Sequence, residues 1–182
     1  MIHSPTVRIR FIFVAMLCSL ACTQAAEAPQ SFKVSEFTFQ RPATWKWVPT
    51  TSSMRAAQLE LGEAAKGGIA EVVFFYFGAS NGGGTQANVE RWFGQFKESK
   101  EKLGAKVEEK TINAKKVTFV QAKGTYMSGS PFGPKTAKPD HVLMGAILES
   151  KQGNVFVKMT GPTQTVEPAI QAFQEMVTAA LK

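Results

Sequence analysis

Residues 72–77 constrain the fold most strongly, because all six consecutive positions are apolar or aromatic. Successive side chains of a β-strand point to opposite faces, so both faces of such a strand carry apolar groups. Each face must then be covered by another apolar part of the chain. We predict a strand at residues 69–77 that lies inside a sheet covered on both sides.

A glycine-rich segment at residues 78–85 and then a helix follow this strand. Four apolar residues recur in the helix with a period of 3.6 residues: Val89, Trp92, Phe93 and Phe96. A stripe of this kind packs one face of a helix against a sheet. We therefore predict a helix at residues 86–96 that covers part of the sheet.

The rest of the chain is predicted to hold further strands and a terminal helix. Alternating apolar side chains favour strands at residues 32–39, 54–61, 105–110, 115–126, 141–148 and 154–160. A helical stripe runs through residues 166–181. Short connections favour antiparallel pairing, since parallel strands need a long crossover. The predicted fold class is α+β: an antiparallel β-sheet flanked by helices on both faces, which is an α/β/α sandwich.

The N-terminus has the layout of a secretory signal peptide. Arg8 and Arg10 precede an apolar run at residues 11–21, and small and polar residues follow this run. Eleven apolar residues are too few to span a bilayer, so a permanent anchor is the weaker interpretation. We predict cleavage after Ala25 or Ala26 and export to the periplasm.

Three segments follow from this interpretation: a signal peptide at residues 1–26, a short tether at 27–31 and a single domain at 32–182. Cys22 leaves an alternative open, because a small residue precedes it as lipoprotein processing requires. A lipidated Cys22 would tether the protein to a membrane instead of releasing it.

The charge of the chain is +7, and eight lysines with four glutamates lie between residues 97 and 123. This excess of lysine suggests peripheral association with an anionic membrane surface. The interspersed glutamates favour the alternative, which is an ordinary solvated surface. We do not expect nucleic acid as a partner, because no basic and aromatic motif is present.

Candidate binding residues lie in the glycine-rich segment, on the helix after it and on the last strand. They are Asn81, Gly82, Gly83, Gly84, Thr85, Arg91, Gln95 and Lys158. Free amides at a helix N-terminus attract anions, but Gly84 stands where a phosphate-binding loop would have lysine. A tight turn that needs positive φ is the favoured alternative for this segment. Arg91 and Gln95 lie one helical turn apart, and Lys158 either joins them or covers the sheet edge with its stem.

Catalytic and metal-binding groups are scarce. Beyond the predicted signal peptide the chain has one histidine, His141, and one aspartate, Asp140. We predict no metal site and no cofactor, since a site of several histidines or aspartates cannot be assembled. A small envelope hydrolase with a cleft near His141, Tyr126 and Lys158 is the alternative function.

Several ordered signals carry a resemblance to known proteins. They are Phe39-x-x-Pro42-x-x-Trp45, Met54-Arg55-x-Ala57, Tyr76-Phe77-Gly78, Asn88-x-x-Arg91-Trp92-x-x-Gln95-Phe96, Gly124-Thr125-Tyr126 and Lys158-x-Thr160-Gly161-Pro162. With these signals the chain resembles a group of exported bacterial proteins of unknown function. More distantly its element order is similar to the PsbP-like fold of the photosystem extrinsic subunit. The resemblance implies an exported sandwich fold and a binding role without enzyme activity, and it places no metal or partner site on this sequence.

These observations together predict a non-catalytic binding or accessory module in the periplasm or at a membrane face. Its ligand is not specified, its partner is an unknown protein or envelope component, and we expect a monomer. The predicted contact surface joins the glycine-rich segment, the Arg91 side of the helix and a loop at residues 128–139. That loop is rich in proline and glycine, and loops of its length are frequently functional.

Overall fold

The computed structural model describes Met1 and residues 28–79, 81–129 and 133–182. The predicted signal peptide beyond Met1, with Cys22, Ala25 and Ala26, lies outside the described residues. Within the described residues, no helix has the length and apolar character needed to cross a membrane.

A seven-stranded antiparallel sheet organises the fold, in the order β3-β4-β5-β9-β8-β7-β6. Its strands are β3 (Lys46–Trp47), β4 (Ala57–Glu63), β5 (Gly68–Tyr76), β6 (Lys106–Ile112), β7 (Lys115–Ser128), β8 (Thr136–Leu148) and β9 (Val155–Pro162). The strand predicted at residues 54–61 corresponds to β4, which begins three residues later, at Ala57, and extends to Glu63. The central β5 lies between β4 and β9, so its backbone groups are paired on both sides.

A separate hairpin of β1 (Ser31–Val34) and β2 (Phe37–Gln40) precedes the sheet. The single strand predicted at residues 32–39 is therefore wrong. The chain reverses at Ser35, whose φ of 54° is the left-handed conformation of a tight turn. The apolar alternation changes phase at this turn, from Phe32 and Val34 to Phe37 and Phe39, and the single-strand prediction overlooked that signal.

In the described chain, helices occupy two regions. In addition, there are short 3-10 turns at Ala64–Lys66 and Lys100–Lys102. Helix α1 (Thr85–Phe93) follows β5. At the C-terminus, α2 (Thr163–Val166), a 3-10 turn (Glu167–Ala169) and α3 (Ile170–Ala180) follow one another without a gap. The predicted single helix at 166–181 is interrupted because Pro168 has no N–H to donate.

Two apolar clusters cover the two faces of the sheet. On one face the hairpin and α3 share the cover, with Phe37, Phe39 and Phe173 fully buried. On the other face α1 and the segment after it supply Val89, Trp92, Phe93, Phe96 and Leu103. This second face is the one that carries the candidate site.

The predicted α/β/α sandwich is wrong, because the chain is β-rich and its helices do not form a layer on each face. Strands take up 45% of the structure and helices 22%. In the described part of the chain, only α1 and α3 are longer than four residues. An apolar strand face indicates that another part of the chain covers it, but it does not indicate whether that part is a helix or a hairpin. Here the β1-β2 hairpin covers part of the face that was predicted to be covered by helices.

Helix α1 approaches the sheet closely where β8 has a glycine. A Cβ built on Gly145 would lie 2.2 Å from Cζ3 of Trp92, well inside van der Waals contact. The indole ring therefore rests on bare strand backbone. A larger residue at this position would lift the helix away from the sheet.

We expect Gly145→Ala to lower the free energy of unfolding by about 1–3 kcal/mol, because the added methyl group overpacks the contact with Trp92. Urea denaturation of the purified protein measures this loss. Gly94→Ala is the matched control, because its added Cβ would meet its nearest neighbour at 3.4 Å. The control should stay within about 0.5 kcal/mol of the wild type, and equal losses in both variants would contradict the proposed contact.

Candidate functional site

A cavity of about 600 Å³ opens beside α1, on the sheet face that this helix only partly covers. We call it the aromatic cavity. It is lined by Phe75, Phe77, Arg91, Trp92, Gly94, Gln95, Tyr126, Met127, Gly129, Lys135, Phe156 and Lys158. Aromatic rings supply much of the wall. All the charged side chains among these lining residues are cations.

Lys158 reaches the cavity through the alternation of β9. Its neighbours Val157 and Met159 point into the core under the hairpin and α3. Phe156 belongs to the opposite cluster under α1, and Lys158 points to that same face. The lysine side chain is partly buried in the middle of the sheet, next to Val73 of β5 and Gly145 of β8.

Tyr126 reaches the cavity because β7 bulges after Gly124. The register with β8 shifts between Gly124 and Tyr126, and such a bulge redirects the side chains that follow it. The Glu98 carboxylate accepts the N–H of Thr125 at 2.8 Å and so holds the bulge. Hydrogen bonding from Thr125, first from its side chain and then from this N–H, lowers the pKa of Glu98 below its ordinary value.

The segment that leaves α1 pairs with the same part of β7. Lys97 N–H donates to the Thr125 carbonyl at 2.9 Å, and Met127 N–H donates to the Gln95 carbonyl at 2.8 Å. Gln95 is thereby fixed through its backbone against the strand that carries Tyr126. This pairing explains how residues distant in sequence meet in one place.

Gln95, Tyr126 and Lys158 form a closed set of hydrogen bonds, which we call the amine cluster. Lys158 Nζ donates to Gln95 Oε1 at 3.0 Å and to the Tyr126 hydroxyl at 3.2 Å. The Tyr126 hydroxyl donates to the same Gln95 Oε1 at 3.0 Å. A single amide oxygen therefore accepts from both neighbours, and the amine has no carboxylate partner within the cluster.

Burial lowers the pKa of Lys158 to about 8, because the protonated amine loses hydration at the cavity wall. The Glu71 carboxylate opposes this shift, whereas Arg55, Arg91 and Lys135 add to it. Glu71 is itself in an ion pair with Arg55. The positive charge of Arg55 therefore offsets part of the stabilisation that Glu71 gives to the protonated amine.

The Tyr126 pKa is raised, first by burial and then by the charge of Glu71. The phenol therefore stays protonated at neutral pH. It accepts a hydrogen bond from the amine and donates its own proton to Gln95 Oε1.

The glycine-rich segment is wound around a buried asparagine. Asn88 donates from its side-chain amide to the carbonyls of Gly82 at 2.7 Å and Gly84 at 2.9 Å. Gly82 and Gly83 have φ values of 99° and 75°, which glycine adopts without strain. Arg91 donates to the Asn88 side-chain oxygen, so the arginine is linked to the segment through this residue.

The start of α1 already has a carboxylate beside it. Thr85 Oγ1 donates to Glu149 Oε1 at 2.7 Å, and a negative charge near a helix N-terminus is favourable. Asn81 lies in the turn before the helix and donates its N–H to the Gly78 carbonyl at 3.4 Å. These contacts agree with the turn interpretation of the segment.

Of the candidate binding residues, the structure brings Arg91, Gln95 and Lys158 together in the aromatic cavity. Residues 81–85 do not line that cavity. His141 also lies outside its lining: Nδ1 is 2.9 Å from the Pro139 carbonyl, and the residue pairs with Gly124 and Pro162 in the sheet. Tyr126 and Lys158 of the alternative hydrolase cleft do meet, but without the histidine.

The predicted loop at 128–139 is shorter than expected, because β7 extends to Ser128 and β8 begins at Thr136. The proline and glycine content concealed these strand ends. Gly129 and Lys135, on either side of residues 130–132, which lie outside the described residues, line the aromatic cavity. Gly129 and Lys135 therefore lie beside the same cavity as Arg91.

The aromatic walls were missed as site residues by sequence reasoning. Phe75, Phe77, Trp92 and Phe156 were assigned to the core because their spacing fits buried strand and helix faces. Phe75 and Phe77 are in fact half-exposed. The available signal was Lys158, a cation on the same strand face as Phe156 in an otherwise apolar strand.

Metal ligands are not clustered in the described ranges of the chain. No group of three or more His, Cys, Asp or Glu side chains there is placed to hold a metal ion.

Comparison with known proteins gives matches to solved structures. No family model and no curated protein matches the chain. Eight chains of solved structures match it, among them a protein of unknown function from Pseudomonas aeruginosa. That protein is 13% identical with a TM-score of 0.44, and the alignment covers 81% of this chain and 92% of the other. A likeness at this level carries no functional argument.

We expect Lys158→Met to raise the free energy of unfolding at pH 7, by up to about 3 kcal/mol. The folded state disfavours the lysine charge, so the wild type should gain stability as the pH rises from about 8 towards the ordinary lysine value of about 10.4. The variant should lack this gain. Urea denaturation between pH 7 and 10.5 measures the difference. The exposed Lys33→Met is the control and should follow the wild type, whereas a Lys158→Met curve parallel to the wild type would contradict desolvation of the amine.

Proposed function

We propose that the protein is a non-catalytic, exported binding module whose aromatic cavity takes an organic anion with an apolar body. The observation that carries this proposal is the composition of the cavity lining, in which aromatic walls surround three cations and no carboxylate. The N-terminal sequence supports export to the periplasm, or tethering to a membrane if Cys22 is lipidated. The partner that delivers or receives the ligand remains an unidentified envelope component.

The walls of the cavity suit an apolar ligand body. A volume of about 600 Å³ lies in the range of small-molecule sites, which typically combine apolar walls with a few placed polar groups. Phe75 and Phe77 stack with centroids 6.2 Å apart, and Phe77 lies 6.1 Å from Phe156. Covering the partly exposed rings of Phe75 and Phe77 removes apolar surface from water, at about 25 cal/mol per Å².

The cations of the cavity suit a carboxylate or another organic anion. Lys158 is mostly protonated at pH 7, since its pKa is about 8, and it has no carboxylate partner in the amine cluster. Arg91 and Lys135 are exposed at the opening. An anion placed among them would offset the desolvation of the lysine, and the favourable interaction would raise the Lys158 pKa.

The alternative, an envelope hydrolase, has less support. A relay needs a histidine within hydrogen-bond reach of a nucleophile, and His141 contacts the Pro139 carbonyl instead. A monomer and a peripheral membrane contact through the lysine-rich segment remain proposals from the sequence.

We expect decanoate to bind the protein expressed from the full chain, with decan-1-ol and decylammonium binding more weakly. Lys158→Met should weaken decanoate binding about tenfold or more, because it removes a charge-assisted hydrogen bond and leaves an unbranched apolar side chain one atom shorter. Affinity in the wild type should fall as the pH rises through 8, where Lys158 loses its charge. Isothermal titration calorimetry measures both effects.

His141→Ala is the matched control for this experiment, because His141 lies outside the lining of the cavity. It should leave decanoate affinity unchanged. Equal affinity for decanoate and decylammonium, or an equal loss in both variants, would refute the anion proposal.

A further inference from the structure

We propose that Lys158 Nζ adds to the carbonyl carbon of an aldehyde that has an apolar or aromatic body, and holds it in the aromatic cavity as an imine. The inference rests on the proposed function, since it assigns a reactive ligand class to the same cavity. It gives the binding module a reversible covalent bond to its ligand.

The hydrogen bonds of the amine cluster leave one direction of the amine free. A protonated amine has three N–H groups, and two of them point to Gln95 Oε1 and the Tyr126 hydroxyl, at 3.0 and 3.2 Å. The third N–H group remains available to a ligand in the cavity that Lys158 lines. After deprotonation the two bonded hydrogens can stay in place, and the lone pair then occupies the direction towards the ligand.

The surroundings of Lys158 favour the neutral amine that this reaction requires. The amine is desolvated at the cavity wall, and Arg91 and Lys135 lie around the same opening. On the neighbouring strand β5, the Glu71 carboxylate favours the charged amine. Arg55 pairs with this carboxylate, and its positive charge favours the neutral amine. About one-tenth of Lys158 is therefore neutral at pH 7, and a desolvated lysine of this kind is an activated nucleophile.

The reaction balances without any further reagent. The nitrogen lone pair forms a bond to the carbonyl carbon while the electrons of the C=O π bond move to oxygen. That oxygen takes a proton from the Tyr126 hydroxyl, which lies 3.2 Å from Nζ and gives up its hydrogen bond to Gln95 Oε1 to do so. The tyrosine regains a proton from the nitrogen. The carbinolamine hydroxyl then takes a second proton and leaves as water while nitrogen forms the C=N bond, and the last N–H proton is released in exchange. Amine and aldehyde therefore give imine and water with no change in oxidation state.

The aromatic walls select the body of the aldehyde. Phe75, Phe77 and Phe156 line the cavity together with Lys158, and Trp92 of α1 lines it as well. A flat aromatic aldehyde fits between such surfaces. An acidic group on its far side would meet Arg91 or Lys135 at the opening.

The experiment uses 4-formylbenzoate with sodium cyanoborohydride, which reduces an imine to a stable secondary amine. Peptide mapping by mass spectrometry then locates the adduct. We expect the adduct to form at Lys158 at least about tenfold faster than at the exposed Lys33. The rate at Lys158 should rise with pH and level off above a midpoint near 8.

Two variants test the parts of the amine cluster. Tyr126→Phe should slow labelling at Lys158 about tenfold or more, because it removes the proton donor and keeps the ring. Lys33→Met is the control and should leave the rate at Lys158 unchanged. Unfolding curves of each variant verify that it is folded. A rate at Lys158 that equals the rate at Lys33 would overturn the proposal, and an unchanged rate in Tyr126→Phe would overturn the role of the tyrosine.

Decanoate separates this inference from the proposed function. If decanoate binds and slows labelling at Lys158, the imine inference and the anion proposal are both supported, and the two ligands share one cavity. If decanoate binds but Lys158 is not preferentially labelled, the imine inference fails and the anion proposal stands. If Lys158 is preferentially labelled and decanoate does not bind, the imine inference stands and the anion proposal fails.

Discussion

The contact of Trp92 with the bare backbone of Gly145 is the constraint on which the site depends. It lets α1 lie directly on the strands, where a helix on a row of larger side chains would stand further away. Gln95, two residues after the end of α1, then lies beside β7, where its carbonyl accepts the N–H of Met127. The bulge after Gly124 turns Tyr126 towards the same point, and β9 supplies Lys158. Each part of the amine cluster is therefore placed by backbone contacts and not by the cluster itself.

The amine cluster costs stability that the two apolar clusters must provide. A desolvated lysine without a carboxylate partner is unfavourable in the folded state. The hydrogen bonds to Gln95 and Tyr126 satisfy the amine but do not neutralise it. Both faces of the sheet are covered by fully buried aromatic and aliphatic side chains, so the fold can tolerate this cost. Perturbed groups of this kind concentrate at functional sites, which is the physical reason for assigning function to Lys158.

Prediction from sequence succeeded where local pattern decides the outcome. The continuous apolar run at residues 72–77 and the alternation at residues 154–160 located β5 and β9 almost to their ends. The stripe of Val89, Trp92 and Phe93 located α1. The cover of the sheet was predicted wrongly, because apolar faces do not reveal whether a helix or a hairpin lies on them. The site was predicted in part: Arg91, Gln95 and Lys158 do meet, but Tyr126 joins them through a bulge held by Glu98. A bulge depends on long-range pairing, and no local pattern announced this one.

The central claim is that the Lys158 amine is desolvated at the wall of an aromatic cavity, and its own titration tests that claim most directly. Protein labelled with ¹³C at the lysine Cε position can be titrated by NMR, with the Lys158 signal assigned by its loss in Lys158→Met. The account predicts a midpoint near pH 8 for this signal, and an upward shift when decanoate is added. A midpoint near 10.4, the value of a freely hydrated lysine, would contradict it.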